Sequence, residues 1–213
     1  MKYKHIIFDF DGVLVESNEI RFEGFRSLFK NYPNSQVNQL VDFAKANGGV
    51  SRYEKIKYFF NVVRNESLSN KEVSELASQF SRLVKQKVID AKPVPGSIKF
   101  LSDHLSDFDF SIVSGSDEKE LREVCKHRGL HSSFKQILGS PTPKEENIAT
   151  LLKHFQWEKK STVYIGDSNN DYDAAKINGI SFIGRCSGLV DWEHMNVKYI
   201  TDLSSLAPLL FSL

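Results

Sequence analysis

Hydrophobic and polar positions change their rhythm along this chain, and each rhythm predicts a different element. The run Lys4-His-Ile-Ile-Phe-Asp9 is apolar and closes on an acid. That is the pattern of a buried strand ending at the ligand-facing edge of a parallel sheet. From Ser17 to Ala91 the period is helical, and no strand pattern occurs. Phe22, Phe25, Leu28 and Phe29 share one face of a first helix that starts at Ser17 and stops before Pro33. The stripe predicts packing between helices rather than a ligand box. A second helix takes Ser35 as its N-cap, gathers Val37, Leu40, Val41 and Ala44, and ends at Gly48-Gly49. Ser51-Arg-Tyr-Glu54 and Ser69-Asn-Lys-Glu72 are capping-box patterns that open a third and a fourth helix. Four amphipathic helices in succession predict a small bundle.

After Pro93-Val-Pro-Gly96 helices and short strands alternate. The pattern predicts helices at 97–105, 117–128, 144–155 and 170–178, with strands at 109–113, 135–138, 162–166 and 181–184. This rhythm belongs to a parallel sheet with helices on both faces, and the strand at the N-terminus belongs to the same sheet. The fold class is therefore α/β: a doubly wound, Rossmann-like core of residues 1–15 and 92–213, with a helical bundle, residues 16–91, inserted as a cap. The hinges are expected near 15–17 and 90–95.

Composition narrows the function. Twenty-eight Lys and Arg against 27 Asp and Glu leave a net charge of +1, too little for a nonspecific polyanion-binding surface, so no nucleic-acid partner is expected. No apolar run reaches membrane-spanning length, and the N-terminus carries two Asp where a signal peptide needs apolar residues. A cytoplasmic monomer with no membrane partner is the expectation. Cys125 and Cys186 support neither a disulfide framework nor a thiolate metal site, and His127 and His131 are separated by Gly129.

Four places carry chemistry. Three fall where a strand runs out: Asp9-Phe-Asp11-Gly12, Ser114-Gly115-Ser116 and Gly166-Asp167-Ser-Asn-Asn-Asp171. The fourth is Lys144, in Pro141-Thr-Pro-Lys, where a helix should begin. Parallel strands open their C-termini on one side, so these groups converge in one crevice. Carboxylates gathered there repel by about 4 kcal/mol per pair at 4 Å, which calls for a cation. All-oxygen ligation selects a hard ion such as Mg2+, which commonly shares its shell with substrate phosphate. The 114–116 segment precedes a helix and can hold an anion, with Ser116 expected as its N-cap, and Lys144 adds a point charge. Asp9 and Asp11 can divide the work of nucleophile and general acid/base.

These four motifs, in this order, resemble those of the haloacid dehalogenase-like hydrolase superfamily. The resemblance covers the core, about two thirds of the chain. It implies a phosphatase acting on a small phosphorylated metabolite through an aspartyl-phosphate, with Asp9 as nucleophile and Asp11 as general acid/base. Ser114 and Lys144 would bind the transferring phosphoryl group, with Gly12, Gly115 and Ser116 beside it. Magnesium would be held by Asp9, the Asp11 main-chain carbonyl and Asp167, with Asp171 assisting. Gly49-Val-Ser-Arg52 is similar to a stretch of the β-phosphoglucomutases in which the Arg grips the substrate's non-reacting phosphate. A sugar phosphomutase is thus the alternative activity, although the Gly166-Asp167 opening of the last motif is more like the phosphatases. A phospho-accepting signalling receiver uses similar groups in a different chain order and has no place for the helical insertion.

Overall fold

A computed structural model describes residues 2–212. Six parallel strands form one sheet in the order β3-β2-β1-β4-β5-β6: β1 (His5–Phe8), β2 (Asp109–Asp117), β3 (Gln136–Ser140), β4 (Thr162–Gly166), β5 (Ser181–Arg185) and β6 (Tyr199–Ile200). The strand order reverses at β1, and a doubly wound sheet binds its ligands at such a switch point. Strand β1 is apolar on both sides because both faces of the sheet are covered. Ile7, Val113 and Tyr164 point to one face, under α7 (Lys144–Phe155) and α8 (Asn169–Asn178). Their neighbours Ile6, Phe8, Phe110, Ile112 and Ile165 point to the other, in the core shared with α5 (Ser97–Asp103), α6 (Glu118–His127) and α9 (Leu206–Phe211).

Between β1 and α5 run four helices: α1 (Asn18–Leu28), α2 (Asn34–Ala46), α3 (Arg52–Tyr58, continued as a π-helix over Phe59–Val63) and α4 (Asn70–Asp90). The phenylalanine stripe packs them together, with Phe25 on Phe80 at 4.5 Å and Phe29 on Phe59 at 4.4 Å between ring centres. The chain leaves the sheet region and returns to it through adjacent segments. The Glu16 N–H donates to the Lys92 carbonyl at 2.9 Å, and the Val94 N–H to that of Leu14 at 3.0 Å.

Several boundaries differ from the sequence expectation, each for a local reason. Pro33, not Ser35, caps α2, because its fixed φ presets the helical entry. Ser51 accepts only the Glu54 N–H, since the Glu54 carboxylate pairs with Lys57, whereas Ser69 and Glu72 complete their box. Strand β2 runs on through the 114–116 segment, so Asp117 caps α6 and the Ser116 hydroxyl is turned elsewhere. Strand β6 and helix α9 carry too short a pattern to have been anticipated. Among the described residues no helix is long and apolar enough to cross a membrane.

Candidate active site

Sheet register sets the geometry. Phe8 pairs with Ile112 of β2 and Ile165 of β4, so the residues just beyond each strand end rise side by side. Asp9, Asp11, Ser114, Gly115, Ser116, Asp167 and Arg52 line one cavity of about 60 Å³. Lys144 lies behind it with its Nζ 3.1 Å from Asp9 Oδ2, although Pro143 rather than a side chain caps its helix. Gly12 and Asp171 also stand behind the wall. Gly12 has φ +72°, and a Cβ there would collide with Asp167 and Asn18. That is a position only glycine fills without moving the site.

The two acids of the first motif have opposite surroundings. Asp9 is 2% exposed and its carboxyl is pushed up by burial, against the pull of Lys144, with Asp171 and Asp167 adding repulsion. Asp11 is also buried, yet Arg21 and two hydroxyls overcome the burial and hold it below the usual carboxylate range. Arg21 Nε donates to Asp11 Oδ1 at 2.9 Å, and the Ser116 hydroxyl to Oδ2 at 2.6 Å. Ser17 also donates to Asp11, which is why it makes no cap bond to α1.

Asp167 is pushed up by burial and by Asp171, and Asn18 Nδ2 donates to its Oδ2 at 2.7 Å. Asp171 has no idle oxygen. Its Oδ1 accepts from Lys144 and lies 2.6 Å from the Tyr164 hydroxyl; its Oδ2 accepts from the Asp167 and Ser168 N–H groups and the Ser168 hydroxyl. It therefore fixes Lys144 and the turn that carries Asp167. Ligand oxygens of Asp9, Asp167 and Asp171 all lie within 4.8 Å of one another. Buried carboxylates this close, two of them shifted upward by burial and then by their neighbours' charge, fit a hard divalent cation.

Sequence reasoning singled out Arg52 but missed the other charges that the helices bring to this region, Arg21, Lys55 and Glu120. Arg21 bridges Asp11 and Glu120; Arg52 Nη1 donates to Glu120 at 2.6 Å and to Ser81 at 2.6 Å, with its guanidinium over the Phe80 ring at 4.7 Å. Arg21 and Lys55 line the same cavity, as do Asn18, Phe22 and Phe25, so part of the phenylalanine stripe faces the ligand space as well as the bundle. The signal was present in the helix period: Arg52 and Lys55 share a face with Ile56 and Phe59 at spacings of three, four and seven. A charge on the buried stripe marks a cavity wall. The roof is closed by the 48–50 loop, where the Gly49 carbonyl lies so close to Gly115 that no side chain fits at 115.

A six-stranded sheet with carboxylates, serines and a buried lysine converging at its switch point defines a hydrolase of the α/β class. A family model for haloacid dehalogenase-like hydrolases matches residues 6–185, and the chain belongs to that family. Within it the chain falls on the phosphatase branch. It is 23% identical over 194 residues to a phosphoglycolate phosphatase of Synechococcus elongatus (89% of this chain, 87% of the relative) and 25% identical over 232 residues to one of Vibrio vulnificus (97% and 94%). Among solved structures, a haloacid dehalogenase-like hydrolase from Streptococcus pneumoniae superposes with TM-score 0.73 at 21% identity, covering 98% of each chain. One from Bacillus subtilis, described as bound to magnesium, gives 0.71 at 19% identity over 99% of each.

Proposed function

We propose that this enzyme is a magnesium-dependent phosphatase that hydrolyses a small phosphorylated metabolite through an aspartyl-phosphate on Asp9. The observation that carries the reading is the contrast between its two leading acids. Asp9 lines the cavity with both oxygens oriented, Oδ1 by the Phe10 N–H at 2.7 Å and Oδ2 by the Lys144 ammonium at 3.1 Å, and from there its carboxylate would attack phosphorus. Asp11 is held ionised by Arg21, ready to take a proton from the water that later hydrolyses the intermediate. As a phosphate dianion arrives beside it, its affinity for a proton rises, which suits it to protonate the leaving oxygen in the first half-reaction. Ser114, Gly115 and Ser116 edge the cavity where phosphoryl oxygens would lie, and Lys144 supplies a positive charge to them.

The Mg2+ ligands would be Asp9, Asp167 and the Asp11 main-chain carbonyl, with Asp171 supporting from behind. When bound, the ion would neutralise the carboxylates and the charge on the transferring phosphoryl group. Residues 16–91 act as the cap, hinged at 15–17 and 90–95, and carry the specificity; the paired connecting segments and the roof at Gly49 support this division. Arg52 is the cap's side chain nearest to the role of gripping a remote substrate group, although Glu120 already holds one of its nitrogens. The phosphatase relatives favour water over a second sugar as acceptor.

A phosphate-release screen over sugar phosphates, nucleotides and phosphocarboxylic acids, with Mg2+ and with EDTA, tests the reading. Release that requires Mg2+ is expected, and Asp9→Asn should lower it at least about 1,000-fold while keeping the circular dichroism spectrum. Undiminished release by that variant would remove Asp9 as the nucleophile.

A further inference from the structure

The cavity beneath the helices is closed on most sides. Asp9, Phe22, Phe25, Arg52, Ser114 and Asp167 line it, each less than a tenth exposed. Apart from Asp11, whose carboxylate is held by Ser17, Arg21 and Ser116, the partly exposed wall among the described residues falls into two groups. One is Gly49, Val50 and Gly115, where the Gly49 carbonyl stands only 2.1 Å from where a Cβ at 115 would be, and so shuts the wall. The other is Asn18, Gly48 and Leu189, and this is the mouth. Outside it lies a second cavity of about 500 Å³, against about 60 Å³ within, and Asn18, Phe22 and Leu189 line both. Asn18 is tied to Asp167 at 2.7 Å and Phe22 is buried in α1, so Leu189 is what the core adds to this partition from the segment after β5. That segment is anchored at both ends: the Cys186 N–H donates to the Ile200 carbonyl at 2.9 Å, and the Trp192 indole to the Arg185 carbonyl at 3.0 Å. Leu189 Cδ1 bears on Gly48, where an added Cβ would meet it at 2.9 Å. The leucine thus closes on the cap at a place where the cap has no side chain.

From this geometry we infer that Leu189 is a specificity-determining residue, which limits the size of the alcohol that the phosphoryl group is carried on. The inference rests on the phosphatase reading and goes beyond it, since it places part of the selection on the core rather than on residues 16–91. With phosphorus against Asp9, the further carbons of an ester have to pass between Leu189, Phe22 and Asn18 to reach the outer cavity. A single methylene that an apolar constriction rejects changes kcat/KM by about 10-fold or more, so one leucine is enough to separate a two-carbon from a six-carbon alcohol. Removing its isobutyl group joins the two cavities.

The test compares kcat/KM with Mg2+ for three primary phosphate esters of uncharged alcohols: 2-hydroxyethyl phosphate, glycerol 3-phosphate and glucose 6-phosphate. Charge and leaving-group chemistry are alike, so size is what varies. The wild-type enzyme should favour the smallest over the largest by at least about 10-fold. Leu189→Ala should move that ratio by at least about 10-fold toward glucose 6-phosphate, chiefly by lowering its KM, and Leu189→Phe should move it the other way. A gain on the larger ester is a result that a merely weakened wall does not produce. A ratio unmoved by Leu189→Ala, an equal loss on all three esters, or a wild-type enzyme indifferent to size would overturn the assignment while leaving the phosphatase reading intact. Turnover of other esters in the screen, but of none of these three by either protein, would overturn it as well. Release from no ester at all would remove that reading, and this inference with it.

Discussion

Individual side chains in this enzyme are placed where their charge is expensive, and two substitutions expose that cost. Lys55 is the clearest. Its folded-state pKa lies below that of the unfolded chain, so between about pH 8 and 10 the unfolded state binds more protons, and below that range the native state carries a constant penalty. Lys55→Met removes the charge and keeps the length, and is expected to stabilise the protein at pH 7 by on the order of 1–3 kcal/mol. A denaturant titration of both proteins would show it. Glu120 poses the opposite case. Its carboxyl overcomes its burial through Arg21 and Arg52, and lies far below the usual range. Its stabilising contribution is present at neutral pH and is lost only in strong acid. Glu120→Gln leaves two buried guanidinium groups undercompensated and should cost about 3 kcal/mol, read as a lower denaturation midpoint.

Elements follow simpler rules, and at this scale the sequence is most legible. Helix α7 begins and ends where its pattern says it should, and β4 falls on the expected residues. Both have clean boundaries: Pro143 before one, and a short β-branched run within the other. The capping box of α4 is local chemistry, so Ser69 and Glu72 could be read directly; Ser69→Ala should cost about 1 kcal/mol in thermal unfolding and leave activity unchanged. What could not be read is any feature that needs a distant partner. Asp117 rather than Ser116 caps α6 because Ser116 is drawn to Asp11, 105 residues away. The Arg21–Glu120 pair spans 99 residues. Periodicity marks Arg21 and Lys55 as lying near apolar positions but cannot say whether a carboxylate or a ligand will meet them. The convergence of Asp9, Asp11, Ser114 and Asp167 was legible because a parallel sheet gives its strand ends a common destination, and Lys144 because Pro143 marks the start of its helix. The cap's contribution has no such rule.

At the scale of the whole molecule the acids behind Lys144 set the dependence on cation and pH. Burial raises Asp9 and Asp167 above their unfolded values, so without a bound cation stability is greatest below about pH 4 for these groups and declines as they ionise. Mg2+ is expected to reverse that decline. The melting temperature at pH 7.5 should rise when Mg2+ is added, and the rise should be larger at pH 7.5 than at pH 5. Asp167→Asn should melt higher than the wild-type protein in EDTA and respond little to the ion. A melting temperature indifferent to Mg2+ in both proteins would count against the carboxylate cluster as its site.

Strand β1 precedes every other strand of the sheet in sequence, yet it lies between β2 and β4. Its second neighbour begins at Thr162, so residues 9–161 must be synthesised before His5 to Phe8 are paired on both edges. During that interval a short, largely apolar strand waits for its second partner while α1 to α4 can already pack around their own phenylalanines. Nascent chains stalled before β4 should therefore hold a folded helical bundle with β1 unpaired on one edge, and Asp9, Asp11 and Asp167 should come together only once β4 has been made.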